Sequence, residues 1–100
     1  MLKHIVLFKL KDQAEGKTKQ ENAERIKKDL ESLKAMIPQI KHLEVGINAI
    51  PSEAAHDIAI YSEFANEKDL GLYSNHPEHV RVAGFVKKVM EGRVVVDYLV

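Results

Sequence analysis

No cysteine occurs in the 100 residues. That excludes a disulfide framework, cysteine-ligated zinc, iron–sulfur clusters and thiol catalysis. Charge excess is missing too: fifteen Lys+Arg stand against fifteen Asp+Glu, whereas an electrostatic nucleic-acid binder carries a basic surplus. No apolar run approaches the roughly 20 residues that cross a bilayer. The opening Met1-Leu2-Lys3-His4 leads straight into a strand-like run without the layout of a cleavable signal. On those absences, neither nucleic acid nor membrane is an expected partner, and a cytoplasmic location is expected. No glycine-rich phosphate loop, nucleophile elbow or carboxylate pair suited to glycoside chemistry stands out. Apolar residues make up 45% of the chain, enough for a core. The length suits one domain, residues 1–100.

The patterning gives the elements. Leu2 to Leu10 is apolar on both parities, Leu2, Val6 and Phe8 against Ile5 and Leu7, which predicts a strand covered on both faces. Lys11 to Lys19 reads as a loop. Ala23, Ile26, Leu30, Leu33 and Ile37 recur at steps of three or four and predict an amphipathic helix over 19–37, ended by Pro38. His42 to Ile50 alternates like a half-covered strand, Pro51 to Ala55 turns, and Asp57 to Phe64 is the next strand. Asn66 suits the N-cap of a short helix reaching Tyr73. Pro77 suits the first position of another helix, with Val82, Phe85, Val86, Val89 and Met90 as its apolar face and Gly92 at its close. Val94 to Val100 is a last strand, again apolar on both parities. The order β-α-β-β-α-β predicts an α+β, ferredoxin-like split βαβ protomer: a four-stranded antiparallel sheet with helices on one face.

That fold leaves one sheet face uncovered, although the first and last strands carry apolar residues on both. An apolar face of several hundred Å2 is unusual on a monomer. The same face of a second copy is the simplest cover, so a two-fold homodimer through Ile5, Leu7, Val94 and Val96 is expected.

Leu2-Lys3-His4-Ile5-Val6-Leu7-Phe8-Lys9-Leu10 and Tyr73-Ser74-Asn75-His76-Pro77-Glu78-His79 resemble the stress-responsive A/B barrel (Dabb) family. Val45-Gly46, Asp57 and Val96-Asp97-Tyr98 fit the same pattern, so the resemblance runs along essentially the whole chain. It implies a ferredoxin-like protomer and a dimeric α+β barrel, and it implies no cofactor. Most bacterial members have no assigned reaction. One plant member is a polyketide cyclase that closes a linear tetraketide by aldol condensation, in a pocket between sheet and helices. The resemblance places its Tyr–His acid–base pair at Tyr73 and His79, and a further pocket histidine at His4. Ile58, Lys27, Leu30 and Arg93 depart from that enzyme, which has a histidine, an aromatic ring, a tyrosine and an aliphatic residue there. The same polyketide substrate is therefore not expected.

The residues themselves support some of this chemistry. With Pro77 as first helical residue, His79 is the third and lies among free N–H groups at the positive end of the helix dipole. Positive potential and burial both disfavour imidazolium, so a neutral imidazole can act as general base. A buried structural histidine bonded to a carbonyl is the alternative. The Tyr73 phenol can donate to a substrate carbonyl or a developing enolate; a core aromatic is the alternative. His4 shares a parity with Val6 and Phe8, and a satisfied core residue is its alternative. His76 and His79 form H-x-x-H, but Pro77 lies between them and no third ligand is near, so no metal site is assigned. His42 and His56 are given no role.

His4, Val6, Phe8, Ile26, Leu30, Ile60, Tyr73, His79, Val82 and Phe85 are expected to converge between sheet and helices. An open space there has the make-up of a small-molecule site. Three readings remain at this point: a cofactor-free enzyme acting on a carbonyl compound, a binder of a small apolar ligand, and a dimeric structural protein with a filled interior.

Overall fold

The alternation of β1 (Leu2–Leu10) organises the molecule: Leu2, His4, Val6, Phe8 and Leu10 are buried, while Lys3, Ile5 and Leu7 are only half-covered. The structure, a computed structural model, describes residues Met1–Val100. After β1 come a miniature hairpin, β2 (Gln13–Ala14) and β3 (Lys17–Thr18), then α1 (Lys19–Met36), β4 (His42–Ile47) and β5 (Ile58–Phe64). The chain finishes with α2 (Glu67–Ser74), α3 (Pro77–Val89) and β6 (Met90–Leu99). The main sheet is antiparallel throughout, in the order β4-β5-β1-β6. The fold is ferredoxin-like, with its three helices against one sheet face.

Local chemistry sets the helix ends. Thr18 and Glu21 form a reciprocal capping box at the start of α1: the Thr18 hydroxyl accepts from the Glu21 N–H at 3.2 Å, and the Glu21 carboxylate accepts from the Thr18 N–H at 3.1 Å. Ile37 ends α1 in extended backbone, as a residue before proline prefers. Asn66 caps α2 by accepting from the Asp69 N–H. His76 caps α3, its Nδ1 accepting from the Glu78 N–H at 3.1 Å, and Pro77 opens the helix. Ala23, Ile26, Leu30 and Leu33 of α1 interleave with Val82, Val86 and Val89 of α3 above Val45, Ile58, Ile60 and Phe64.

Three boundaries differ from the sequence expectation. The loop after β1 contains the β2–β3 hairpin, whose turn residues Glu15 and Gly16 both have positive φ. That pattern suits a primed turn, and the Asn22 side chain anchors it by donating to the Ala14 carbonyl. β4 stops at Ile47 rather than Ile50, because the Asn48 side chain donates to the Ile50 carbonyl and folds the chain away. β6 begins at Met90 rather than Val94. Met90 leaves α3 directly in extended backbone, and Gly92 pairs with Lys9 inside the strand instead of closing the helix.

The register fixes what the second face presents. Ile5 pairs with Tyr61 on one side and Val96 on the other, and Leu7 pairs with Ala59 and Val94. No element of the chain covers this face, and Val94, Val96 and Tyr98 are 50%, 53% and 41% exposed. The β1–β6 half is apolar. The β4–β5 half is polar: the Tyr61 hydroxyl donates to Glu63, with the Lys3 ammonium 5.6 Å from the Tyr61 ring and His42 edge-on to it. At one end of the sheet the two chain ends meet, the Val100 N–H donating to the Met1 carbonyl at 3.0 Å and the Met1 ammonium to the Val100 carbonyl at 3.2 Å.

Candidate functional site

β1 carries His4 toward the helices, the last turn of α2 carries Tyr73, and the first turn of α3 carries His79. The short Asn75-His76 link between the two helices brings the last two together. The Tyr73 and His79 ring centroids are 4.4 Å apart, and His4 lies 6.5 Å from Tyr73. Phe64 supports the group from β5, 4.9 Å from Tyr73. Such tilted and edge arrangements are favoured between aromatic quadrupoles.

Hydrogen bonds and burial set the state of each polar group. The His79 Nδ1–H donates to the Ser74 carbonyl at 3.0 Å, which leaves Nε2 as an unprotonated acceptor. His4 Nδ1 is held by the Asp97 carboxylate, its register partner on β6. Tyr73 is buried, and burial pushes its phenol up to about 12, opposed by the charge of Arg93. It stays protonated and can donate. Burial also holds His79 below the ordinary histidine range, against the raising effect of the Ser74 carbonyl; the charges of His4, Arg93 and His76 act with burial. At neutral pH the pair is therefore a phenol donor beside a neutral imidazole acceptor.

The sign of that shift gives a pH expectation. A histidine with a depressed folded pKa contributes stability that is intact above the unfolded value near 6.5 and is lost as pH falls through the folded value. The His79 ring proton followed by NMR should titrate with a midpoint below about 6.5, and His79→Gln should flatten the acid limb of the stability curve. A midpoint at or above the ordinary histidine value would remove the argument for a neutral base.

A cavity of about 460 Å3 opens beside this group, floored by β1, β5 and β6 and walled by α3. His4, Val6, Phe8, Leu30, Ile60, Tyr73 and His79 line it. Ile26, Val82 and Phe85, also expected there, do not. Ile26 and Val82 are sealed into the seam between α1 and α3, and Phe85 lies under the Arg25 guanidinium at 3.7 Å. The wall of α3 is instead Val80, Ala83, Gly84 and Lys87, joined by Val86 from the apolar stripe. Val80, Ala83, Gly84 and Lys87 step i, i+3, i+4, i+7 and form a second face of the helix; the more apolar stripe Val82, Val86, Val89 marks the buried face, and only Val86 of it reaches the cavity. Arg93 completes the rim from β6, and Ser74 and Met90 also contribute. Asp97 reaches the site through His4. The sequence offered no sign of that pairing, since the two residues meet only through strand register.

No three histidine, cysteine or acidic side chains cluster as metal ligands, and His76 is engaged in capping α3. No helix is long and apolar enough to cross a membrane.

Residues 2–100 match the family described as the Stress responsive A/B Barrel Domain. A stress-response A/B barrel domain-containing protein of Arabidopsis thaliana is 32% identical over 85 residues, covering 82% of this chain and 30% of that protein. The chain spans less than half the length of the curated relatives it matches. Among solved structures, a dimeric ferredoxin-like protein of unknown function from Bacteroides fragilis superposes with a TM-score of 0.89 at 41% identity, covering 99% of this chain and 95% of that one. The hydroxynitrile lyase of Passiflora edulis superposes with a TM-score of 0.83 at 23% identity, covering 99% and 92%. At that identity the likeness is one of fold.

Proposed function

The chain belongs to the stress-responsive A/B barrel domain family, and from that premise we propose that it works as a homodimer in which each protomer binds a small, largely apolar molecule between sheet and helices. The observation that carries this reading is the open cavity with both Tyr73 and His79 on its wall. Its volume falls within the range of small-molecule sites, and it combines an apolar lining with a few convergent polar groups. The dimeric state of solved relatives and the uncovered apolar half of the sheet support the assembly, in which two sheets close into an α+β barrel.

A second reading is favoured by the tautomer of His79. With Nδ1–H committed to Ser74, Nε2 faces a bound molecule as a base while Tyr73 donates to its carbonyl oxygen. That is the arrangement for cofactor-free proton transfer next to a carbonyl, and loss of such a base costs roughly 10²–10⁴-fold in rate.

Gly84 provides the test. A Cβ built at this position meets nothing within 4 Å, and the residue lines the cavity. Gly84→Leu should therefore fill the space from one side. It should also raise the melting temperature by several degrees, because glycine inside a helix costs about 1 kcal/mol relative to good helix formers. A thermal-shift screen of aromatic and carbonyl compounds would compare wild type, Gly84→Leu and His79→Ala. Hits that vanish in Gly84→Leu support the binding reading, and hits that also need His79 support the catalytic one. Hits unchanged in both variants would place binding elsewhere, and a broad library without hits would favour a structural role.

A further inference from the structure

The cavity wall is electrically lopsided in a chain whose charges balance overall. Fifteen basic residues match fifteen acidic ones, yet the residues lining the cavity include Arg93 and Lys87 and no carboxylate. The three arginines divide in the same way. Arg25 pairs with Asp29 and Arg81 with Glu78, whereas Arg93 has neither an ion pair nor a hydrogen bond within the protein. On the helix-facing side of β6, Asp97 is taken by His4, and Glu91, two residues before Arg93, makes no ion pair with it. Arg93 is not a stray surface charge. It is paired in register with Phe8 on the helix-facing side of the sheet, so its stem starts on the cavity floor. Lys87 comes from the opposite wall, one helical turn beyond Ala83 and Gly84, and it too has no acidic partner.

We propose that Arg93, assisted by Lys87, is the anchor for a carboxylate on the ligand, so that the cavity takes small aromatic or aliphatic carboxylates in preference to neutral apolar compounds. This rests on the cavity being a binding site. A guanidinium offers a planar fork of donors that matches a carboxylate with two parallel hydrogen bonds, and charge-assisted bonds of this kind are about twice as strong as neutral ones. With the head group at the rim, the apolar body extends along Val6, Phe8, Leu30 and Ile60 toward Tyr73 and His79. The cation then fixes which end of the ligand enters first. It also sets the chemical class of any substrate: an acid with its reactive carbon several bonds from the carboxylate.

The experiment compares matched pairs, benzoate with benzamide and phenylacetate with phenylacetamide, by titration calorimetry and by shifts of cavity resonances in NMR. The acids are expected to bind at least about tenfold more tightly than the amides, the range for a hydrogen bond to a charged group. Raising the salt concentration should weaken the acids alone. Arg93→Gln should erase most of the preference by weakening the acids far more than the amides, and Arg93→Lys should restore part of it. Both side chains are exposed, so the variants should fold, and an unchanged melting temperature checks this. Lys87→Gln, on a different element, gives an independent arm with a smaller loss. Equal binding of acid and amide to wild type would overturn the anchor while leaving the cavity reading intact. So would a preference that persists in the Arg93→Gln, Lys87→Gln double variant. If neither acids nor amides perturb the cavity, the anchor and the binding reading fall together.

Discussion

Ile5→Asp is expected to split the proposed homodimer, shifting its dissociation constant by roughly four orders of magnitude. Ile5 sits in the interior strand of the sheet, between Tyr61 and Val96, on the face that no element of the chain covers. Pairing with a second copy would bury it beside Leu7 and Val96, and its nearest polar neighbours, Lys3 and Tyr61, are already engaged with each other and with Glu63. Burying an unsatisfied polar group costs at least about 3 kcal/mol. Two-fold symmetry applies the cost twice, and about 6 kcal/mol corresponds to that change in affinity. An interface built on one sheet face of so small a chain should bury on the order of 2,000 Å2 or less, enough for a stable dimer. The apolar half formed by β1 and β6 would be its centre, with Lys3, Tyr61, Glu63 and His42 toward its margin. Sedimentation velocity at micromolar concentration checks this: wild type should run at twice the chain mass and Ile5→Asp at once. A wild-type protein that sediments as a monomer would remove the interface, and Ile5→Asp would then have little effect.

Phe64→Ala should cost about 3–5 kcal/mol of folding stability, the usual range for removing a buried phenylalanine. Phe64 is fully buried and belongs to the main core. Its ring also supports Tyr73 at 4.9 Å and stands edge-on to His4 at 6.3 Å. The loss is a large share of the stability of a small domain and should lower the melting temperature by about 12 °C or more. Phe64→Leu, which keeps most of the volume, should cost less than about 2 kcal/mol. Urea unfolding separates the two. The consequence for the site is distinct from the loss of stability: without the ring, Tyr73 is free to tilt away from His79, and the NMR resonances of His79 should shift in the folded protein. An alanine variant that unfolds like the leucine one would mean the neighbouring side chains collapse into the space.

The sequence made the fold legible because its signals are local and agree with one another. The period-2 and period-3.6 stripes, the Asn66 cap, the Pro38 stop and Pro77 at a helix start each point to one structure. The unread details lie where pairing overrides propensity. Gly92 looks like a helix stop, yet the ladder with Lys9 keeps it in a strand. Glu15-Gly16 makes a hairpin turn without the usual Asn-Gly signal. Tyr73 and His79 are legible as a pair through the family resemblance of the Tyr73 to His79 stretch, in which a single helix break separates them. The His4–Asp97 pair was not legible, because it spans almost the whole chain and depends on the β1–β6 register. The apolar stripe points to Ile26, Val82 and Phe85 because it marks what is buried, not what lines an open space. The cavity is bounded mainly by the adjoining, less apolar face at Val80, Ala83, Gly84 and Lys87, with Val86 the one residue of the Val82, Val86, Val89 stripe that reaches it.

The contact between Met1 and Val100 makes this chain almost a closed ring. Its first and last residues exchange hydrogen bonds at the edge of the β1–β6 ladder, so a linker of about two to four residues would join them as a hairpin loop joins paired strands. The order of strands in space would then no longer depend on where the polypeptide begins. The exposed segment around Pro51 and Ser52 lies between two strands and away from Tyr73, His79 and Arg93. A circular permutant opened there would keep every rung of the four-stranded ladder and every wall of the cavity, because exposed loop tips tolerate new termini. Its folding would start from a different local hairpin and finish in the same place.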